Sequence, residues 1–265
     1  MKLKIYQIDA FTDKLFSGNP AAVCPLDKWL KDDLLQKIAM ENNQAETAFY
    51  TRKGNDYEIR WFTPTLEVEL CGHATLAAAY VLFHYENHTE NTIVFHSRYS
   101  GQLMVRREND FLTLNFPTDT IEIVKISKEL KDCFNHGPKE AYKGKTDYML
   151  IFESEEQIKN IRPDFLVISK LDARGIIITA KGNTVDFVSR FFGPQSGIDE
   201  DPVTGSAHTT LIPYWSGKTG KKELSALQLS KRSGYLKCKH LDNRVEISGQ
   251  AKTYLIGEIY LNENN

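Results

Sequence analysis

Cysteine is scarce. Four occur in 265 residues, at positions 24, 71, 133 and 238, and none are spaced as C-x-x-C. This excludes a zinc ribbon, a thioredoxin-type redox pair and a disulfide-stapled secreted domain. Reduced thiols in a cytoplasmic protein are the expectation. Long apolar runs are missing too. No stretch approaches the roughly 20 residues that span a bilayer, and the opening MKLKIYQIDAF lacks the apolar run of a secretory leader. There is no G-x-G-x-x-G. The G-K-T within SGKTGKK (216–222) lacks the upstream glycine of a phosphate-binding loop. No lysine is placed by motif for a pyridoxal Schiff base. Neither sign of charge prevails: the net charge is −2 and the basic residues are scattered. Nothing therefore favours nucleic acid or an anionic membrane as a partner. His84 and His88 have helical i, i+4 spacing without a third ligand, which reads as a solvated helix end. No cofactor and no metal are expected, so chemistry falls to side chains.

What the chain does contain is a repeat. Arg60, Phe62 and Pro64 recur as Arg190, Phe192 and Pro194 at an offset of 130. Three extra residues follow in the second copy. Gly72 then meets Gly205 at an offset of 133. That register persists through SRYSGQLMV (97–105) against SKRSGYLKC (230–238), and FLTLNF falls on VEISGQ. Forty residues in one register are difficult to obtain from unrelated units that share turn residues.

Each half reads alike. A first strand (Lys4–Ala10; Tyr148–Phe152) precedes a helix. In the first half this is DKWLKDDLLQKIAMENN, with Asp27 as N-cap and Leu30, Leu34, Leu35 and Ile38 on one face. In the second half it is ESEEQIKNIRPDFLVISKL, broken at its proline. Two strands follow, then an apolar helix (Thr75–Phe83; Thr209–Trp215) that is hydrophobic nearly all round and so should be enclosed. The expected fold is α+β: two pseudo-symmetric domains, each a mostly antiparallel sheet around a central helix. Residues 1–118 form one half and 119–253 the other. The last strand, within 254–265, is compatible with either.

The recurring five residues, CGHAT and TGSAH, open those two helices. A helix N-terminus presents unpaired N–H groups and partial positive charge, and glycine permits close approach. Gly72-His73-Ala74 and Gly205-Ser206-Ala207 are therefore candidate holders of a carboxylate or a developing enolate. Ordinary capped helices with small packing residues would look the same. Glu46, in NNQAETAFY, has apolar neighbours that would raise its pKa toward that of a general base. From this stretch alone it reads equally as a solvated strand-start residue. Asp201 precedes a proline beside the second turn, where an Asx turn is the competing reading. His73 is placed to donate a hydrogen bond or shuttle a proton. Cys71 is placed as a thiol base, but its repeat partner is Thr204, which excludes a two-thiol mechanism.

The stretches IDAFTDKLFSGNPAAV, NNQAETAFY, RWFTPTLEVELCGHATLAAAYVL and SRFFGPQSGIDEDPVTGSAH resemble the PhzF family of phenazine-biosynthesis-like proteins. More distantly they are similar to diaminopimelate epimerase and proline racemase. The resemblance covers nearly the whole chain. It implies the epimerase-like fold, a cofactor-independent isomerase acting on a small carboxylate-bearing substrate, and often a homodimer. It also implies that Glu46 is the catalytic glutamate, that His73, Asp201 and Ser206 support it, and that Gly72, Ala74, Gly205 and Asn19 bind substrate. The alternative is a non-catalytic anion-binding module on the same fold.

Overall fold

The computed structural model describes residues 1–262. The last three positions of the segment 254–265 lie outside the described residues. The fold is mixed α+β, mostly strands with few helices. The chain divides into two compact units. One holds residues 1–115 and those from Ser248 on; the other is Phe116–Ile247.

In the first unit, β1 (Lys2–Ala10) runs antiparallel to β2 (Asn19–Leu26). Helix α1 (Asp32–Asn42) carries the chain to β3 (Glu46–Lys53), parallel to β2. Then β4 (Asp56–Phe62) pairs antiparallel with β3 and with the short β5 (Glu67–Val68). Helix α2 (Gly72–His84) crosses to β6 (Thr92–Ser97), parallel to β4, followed by antiparallel β7 (Gly101–Glu108) and β8 (Phe111–Pro117). The final strand, Ala251–Tyr260, pairs antiparallel along the whole of β1, which is why the chain from Ser248 on goes with this unit.

The second unit repeats this plan. After β9 (Glu122–Ile123) and α3 (Lys128–Asp132), β10 (Glu140–Lys143) runs antiparallel to β11 (Asp147–Ile151). Two short helices, α4 (Glu155–Asn160) and α5 (Phe165–Ile168), flank the expected break at Pro163. They lead to β12 (Gly175–Lys181), parallel to β11. Next, β13 (Phe187–Gly193) is antiparallel to β12 and to β14 (Ile198–Asp201). Helix α6 (His208–Thr219) returns the chain to β15 (Glu223–Gln228), parallel to β13, before β16 (Gly234–Leu241) and β17 (Arg244–Gly249). The final strand is accordingly β18.

The pairing fixes the correspondence between copies. Arg60 grips Glu67 with two hydrogen bonds, from Nε and Nη2, both 2.7 Å. Arg190 grips Glu200 in the same way at 2.7 and 2.9 Å. Both forks link the β4/β5 or β13/β14 hairpin. The three extra residues of the second copy follow Pro194, in the connection that holds a 3-10 turn, Pro194–Ser196, closed by Gly197 at φ +81, a left-handed angle that suits glycine.

Three expectations need correction. Tyr148–Phe152 corresponds to β2, not to β1, because β10 takes the place of β1. Pro20 and Pro25 disguise β2 in the sequence. Each is tolerated because Pro20 is paired only toward β1 and Pro25 only toward β3. Helix α1 starts at Asp32, not after Asp27. Its N-cap is Lys31 in an extended conformation, and Asp32 and Asp33 occupy the first turn, where the helix dipole favours negative charge. Trp29 is held away from the helix by its hydrogen bond to Glu58 (2.9 Å). The apolar helices are also longer than expected, α2 running from Gly72 and α6 on to Thr219.

Both central helices are enclosed. In α2, ten of thirteen residues are buried, and it packs on β1, β2, β3 and β18. Helix α6 packs on β15 and β16 and contains Pro213, which cannot donate to the carbonyl of Thr209. Asp119 supplies the missing donor: its N–H reaches the Thr209 oxygen at 3.2 Å. Among the described residues no helix is long and apolar enough to cross a membrane.

Candidate active site

The first cluster gathers residues from three elements of the first unit. Gly18 has φ +67, and a Cβ there would lie 2.2 Å from the Ala10 carbonyl oxygen. Only glycine fits, and it delivers Asn19, fully buried, at the start of β2. Asn19 Nδ2 lies 3.2 Å from Nδ1 of His73 in the first turn of α2. The amide nitrogen can only donate, so Nδ1 accepts and the ring proton sits on Nε2. Nε2 in turn is 3.2 Å from Glu46 Oε2. Burial pushes the His73 pKa down to about 3, so the imidazole is neutral at physiological pH. It lies beside Glu46 as a neutral ring, at a distance that a small rotation would turn into a hydrogen bond, although the present geometry does not make one. The Glu46 side chain retains 14% exposure at the head of a strand whose next residues are buried. It is thus a largely dehydrated carboxylate, as the neighbours Ala48 and Phe49 imply.

Cys71 is the N-cap of α2 and makes no side-chain capping bond. Its Sγ lies 3.5 Å from His73 Nδ1. Ligand atoms of Glu46, Cys71 and His73 all lie within 4.8 Å of one another, a spacing a soft divalent ion would accept. However, Glu46 meets one ring nitrogen while Asn19 and Cys71 meet the other. The cluster reads as polar groups gathered around one imidazole, bonded at Nδ1 and close to the carboxylate at Nε2. Gly72 and Ala74 flank His73 in the first turn. Ala74 is fully buried.

A second cluster lies in the second unit. The loop Gly205–Ala207 is a turn that precedes α6, which starts at His208. Asp201 ends β14, and its Oδ2 accepts a 2.5 Å hydrogen bond from Thr204 Oγ1. Gln228 braces the same turn: it accepts from the Thr204 N–H (2.8 Å) and donates to the Asp201 carbonyl (2.8 Å). His208 is buried. Its Nδ1 lies 2.9 Å from the Thr204 carbonyl, and burial lowers its pKa to about 4. Ser206 Oγ accepts a 2.9 Å bond from Nη1 of Arg174. Arg174 is itself clamped by buried Asp147 at 2.9 and 2.5 Å. Sequence reasoning missed Arg174, Asp147 and Gln228. Each lies far along the chain from the turn it serves, and only an Arg-Gly pair at the head of β12 hints at the first.

His84 and His88 do not form a metal pair. His88 uses both ring nitrogens, toward Tyr57 (3.2 Å) and the Thr92 carbonyl (3.1 Å), which makes it structural. None of the four cysteines forms a disulfide, and all are buried.

A family model described as phenazine biosynthesis-like protein matches residues 8–257. The chain belongs to this PhzC-PhzF family. It is 48% identical over 261 residues to a Pseudomonas aeruginosa protein described as an uncharacterized isomerase, covering 98% of this chain and 100% of that one. A crystal structure of a PhzF-family phenazine biosynthesis protein from Enterococcus faecalis matches with a TM-score of 0.96 and 46% identity, over 98% of this chain and 100% of that chain. A predicted epimerase from Pseudomonas aeruginosa, 16% identical, shares the fold at a TM-score of 0.75, over 98% and 100% of the two chains. Membership of the PhzF family and the isomerase descriptions of its relatives support an isomerase activity, and the fold is epimerase-like.

Proposed function

We propose that this protein is a cofactor-independent isomerase that shifts a proton on a small carboxylate-bearing substrate by general acid/base catalysis. The observation that carries this reading is the alignment of Asn19, His73 and Glu46. A buried neutral imidazole with a fixed tautomer sits 3.2 Å from one oxygen of a nearly dehydrated carboxylate, close by but without hydrogen-bond geometry. Such a carboxylate is suited to take a proton from carbon and return it. Asp201, Gly205 and Ser206 are assigned to substrate binding and orientation, since Asp201 already accepts the Thr204 hydroxyl.

The repeat supports one base, not two. By strand register Glu46 corresponds to Gly175: Thr47 pairs with Phe62, and Ile176 pairs with Phe192. A Cβ at Gly175 would lie 2.5 Å from the Phe191 ring and 2.6 Å from the Phe192 carbonyl oxygen, so that position bars a second acid. Inverting a carbon centre calls for bases on two faces. A single base favours transfer between two positions on one face.

The decisive experiment is wash-in of deuterium from D₂O into small cyclic carboxylates. Glu46→Gln should lower the exchange rate by about 10²–10⁴. Tight binding of such carboxylates without any exchange by the unmodified protein would instead identify a binding module. We further propose a cytoplasmic homodimer. Tyr254, Leu255 and Ile256 of β18 are 49%, 41% and 55% exposed, an apolar run of the kind that pairing between copies would cover. Light scattering should give twice the chain mass, and Ile256→Lys should shift it toward the monomer; an unmodified chain that is monomeric at micromolar concentration would refute this.

A further inference from the structure

Ser206 and His73 occupy the same place in the two copies, yet their partners are opposite in charge. Beside His73 stands the Glu46 carboxylate; beside Ser206 stands the Arg174 guanidinium. Register places Ala45 where Arg174 stands, one residue before the Glu46/Gly175 pair. The cation is therefore private to the second copy. It is also rigidly built. The Arg174 N–H bonds the Thr146 carbonyl at 2.8 Å, and the guanidinium lies over the Phe191 ring at 5.1 Å. Nε and Nη2 are both taken by Asp147, which is 3% exposed. Only Nη1 reaches Ser206.

That bond decides what Ser206 can do. A guanidinium only donates, so the serine oxygen accepts, and the hydroxyl hydrogen must point elsewhere. No protein acceptor for it occurs among the described residues. We propose that Arg174, clamped by Asp147, is a positioning residue that fixes Ser206 as a donor toward an anionic oxygen of the ligand, and so sets a preference for carboxylates over neutral amides. This rests on reading the Ser206 turn as a ligand-binding element. The charge of Arg174 strengthens the effect by polarising the hydroxyl it donates to. Lysine cannot substitute, because a single ammonium cannot span Asp147 and Ser206 as the planar fork does.

The test is calorimetric titration with pyrrole-2-carboxylate and with pyrrole-2-carboxamide. The unmodified protein should prefer the carboxylate by roughly tenfold to a hundredfold, the range of one hydrogen bond to a charged group. Arg174→Lys keeps a cation beside Asp147 and should retain the thermal midpoint while losing most of that preference. Ser206→Ala should lose as much, and the double variant no more than either single one, because both act through one contact. An Arg174→Gln/Asp147→Asn variant, which leaves no buried charge unpaired, should behave as Arg174→Lys does. Equal affinity of the unmodified protein for the two probes, no binding of either, retained preference in Arg174→Lys, or additive losses would each overturn the proposal. Glu46→Gln separates the two readings: it should lower deuterium exchange by about 10²–10⁴ and leave the carboxylate preference intact. Arg174-dependent preference without any exchange would sink the isomerase and leave this inference standing. Exchange with no role for Arg174 would do the reverse.

Discussion

Asn19 determines which nitrogen of His73 carries the proton, and that choice sets what Glu46 faces. An amide donor at Nδ1 puts the hydrogen on Nε2, toward the carboxylate. Asn19→Asp would replace the donor by an acceptor of nearly the same shape. The ring proton would then be drawn to Nδ1, and Nε2 would face Glu46 only after taking a second proton. The variant should therefore raise the His73 pKa from its depressed value and convert a neutral ring into an imidazolium. We expect a fall in proton-exchange rate of about 10² or more, the order seen when a catalytic imidazole is held in the wrong tautomer or a positioned acid/base group is lost. Nitrogen-15 NMR of the His73 ring checks the cause directly: unchanged ring shifts in Asn19→Asp would remove the tautomer argument. Little of this was legible from the residue itself. Glu46 reads locally as a strand-start glutamate, and only its resemblance to a family motif raised it. Its partners are 27 residues away in either direction, and no local pattern announces such a meeting.

Helix α6 shows the same separation at the level of an element. Proline in its interior should break it, yet Asp119, distant along the chain, closes the gap. Its N–H satisfies the Thr209 carbonyl, and its carboxylate accepts from Thr210 Oγ1 (2.8 Å) and from the N–H groups of Thr120 (2.9 Å) and Lys145 (3.3 Å). Removing that carboxylate leaves the donors to find water or remain unmet. Asp119→Ala should cost about 1–3 kcal/mol in unfolding free energy, with Asp119→Asn milder, as urea melts would register. A loss below 0.5 kcal/mol, on the order of an ordinary surface change, would mean that water replaces the carboxylate without penalty. The repeat, by contrast, was readable in the sequence. The recurring Arg60 and Arg190, the glycine turns and the apolar central helices are local or short-range requirements, and each leaves a residue type at a fixed spacing. Strand β2 was not readable because its prolines mimic a loop until the pairing on either side is known.

For the whole molecule, the consequence lies in the response to acid. His73 and His208 are buried, one in each unit, and burial lowers their pKa values from 6.5 to about 3 and about 4. The unfolded chain protonates both near pH 6.5, whereas the folded chain does not until the pH falls much further. Between those limits the unfolded state holds more protons, so stability rises with pH and falls on acidification. With both groups fully titrating in the unfolded chain, the slope approaches about 2.7 kcal/mol per pH unit, twice the value for a single proton. Ion-paired carboxylates such as Glu58 and Asp186, whose pKa values are lowered in the fold, act with the same sign but only below the ordinary carboxylate range. Loss of stability should therefore begin about two pH units above the point at which carboxylates protonate. Urea midpoints measured from pH 7 to pH 4.5 should fall steadily across that range. His208→Gln keeps an amide donor for the Thr204 carbonyl and removes one of the two titrating groups, so it should reduce the slope by about half. A midpoint that stays flat down to pH 4.5 would mean that water or an alternative partner reaches these imidazoles, and the neutral His73 beside the proposed base would then have to be abandoned.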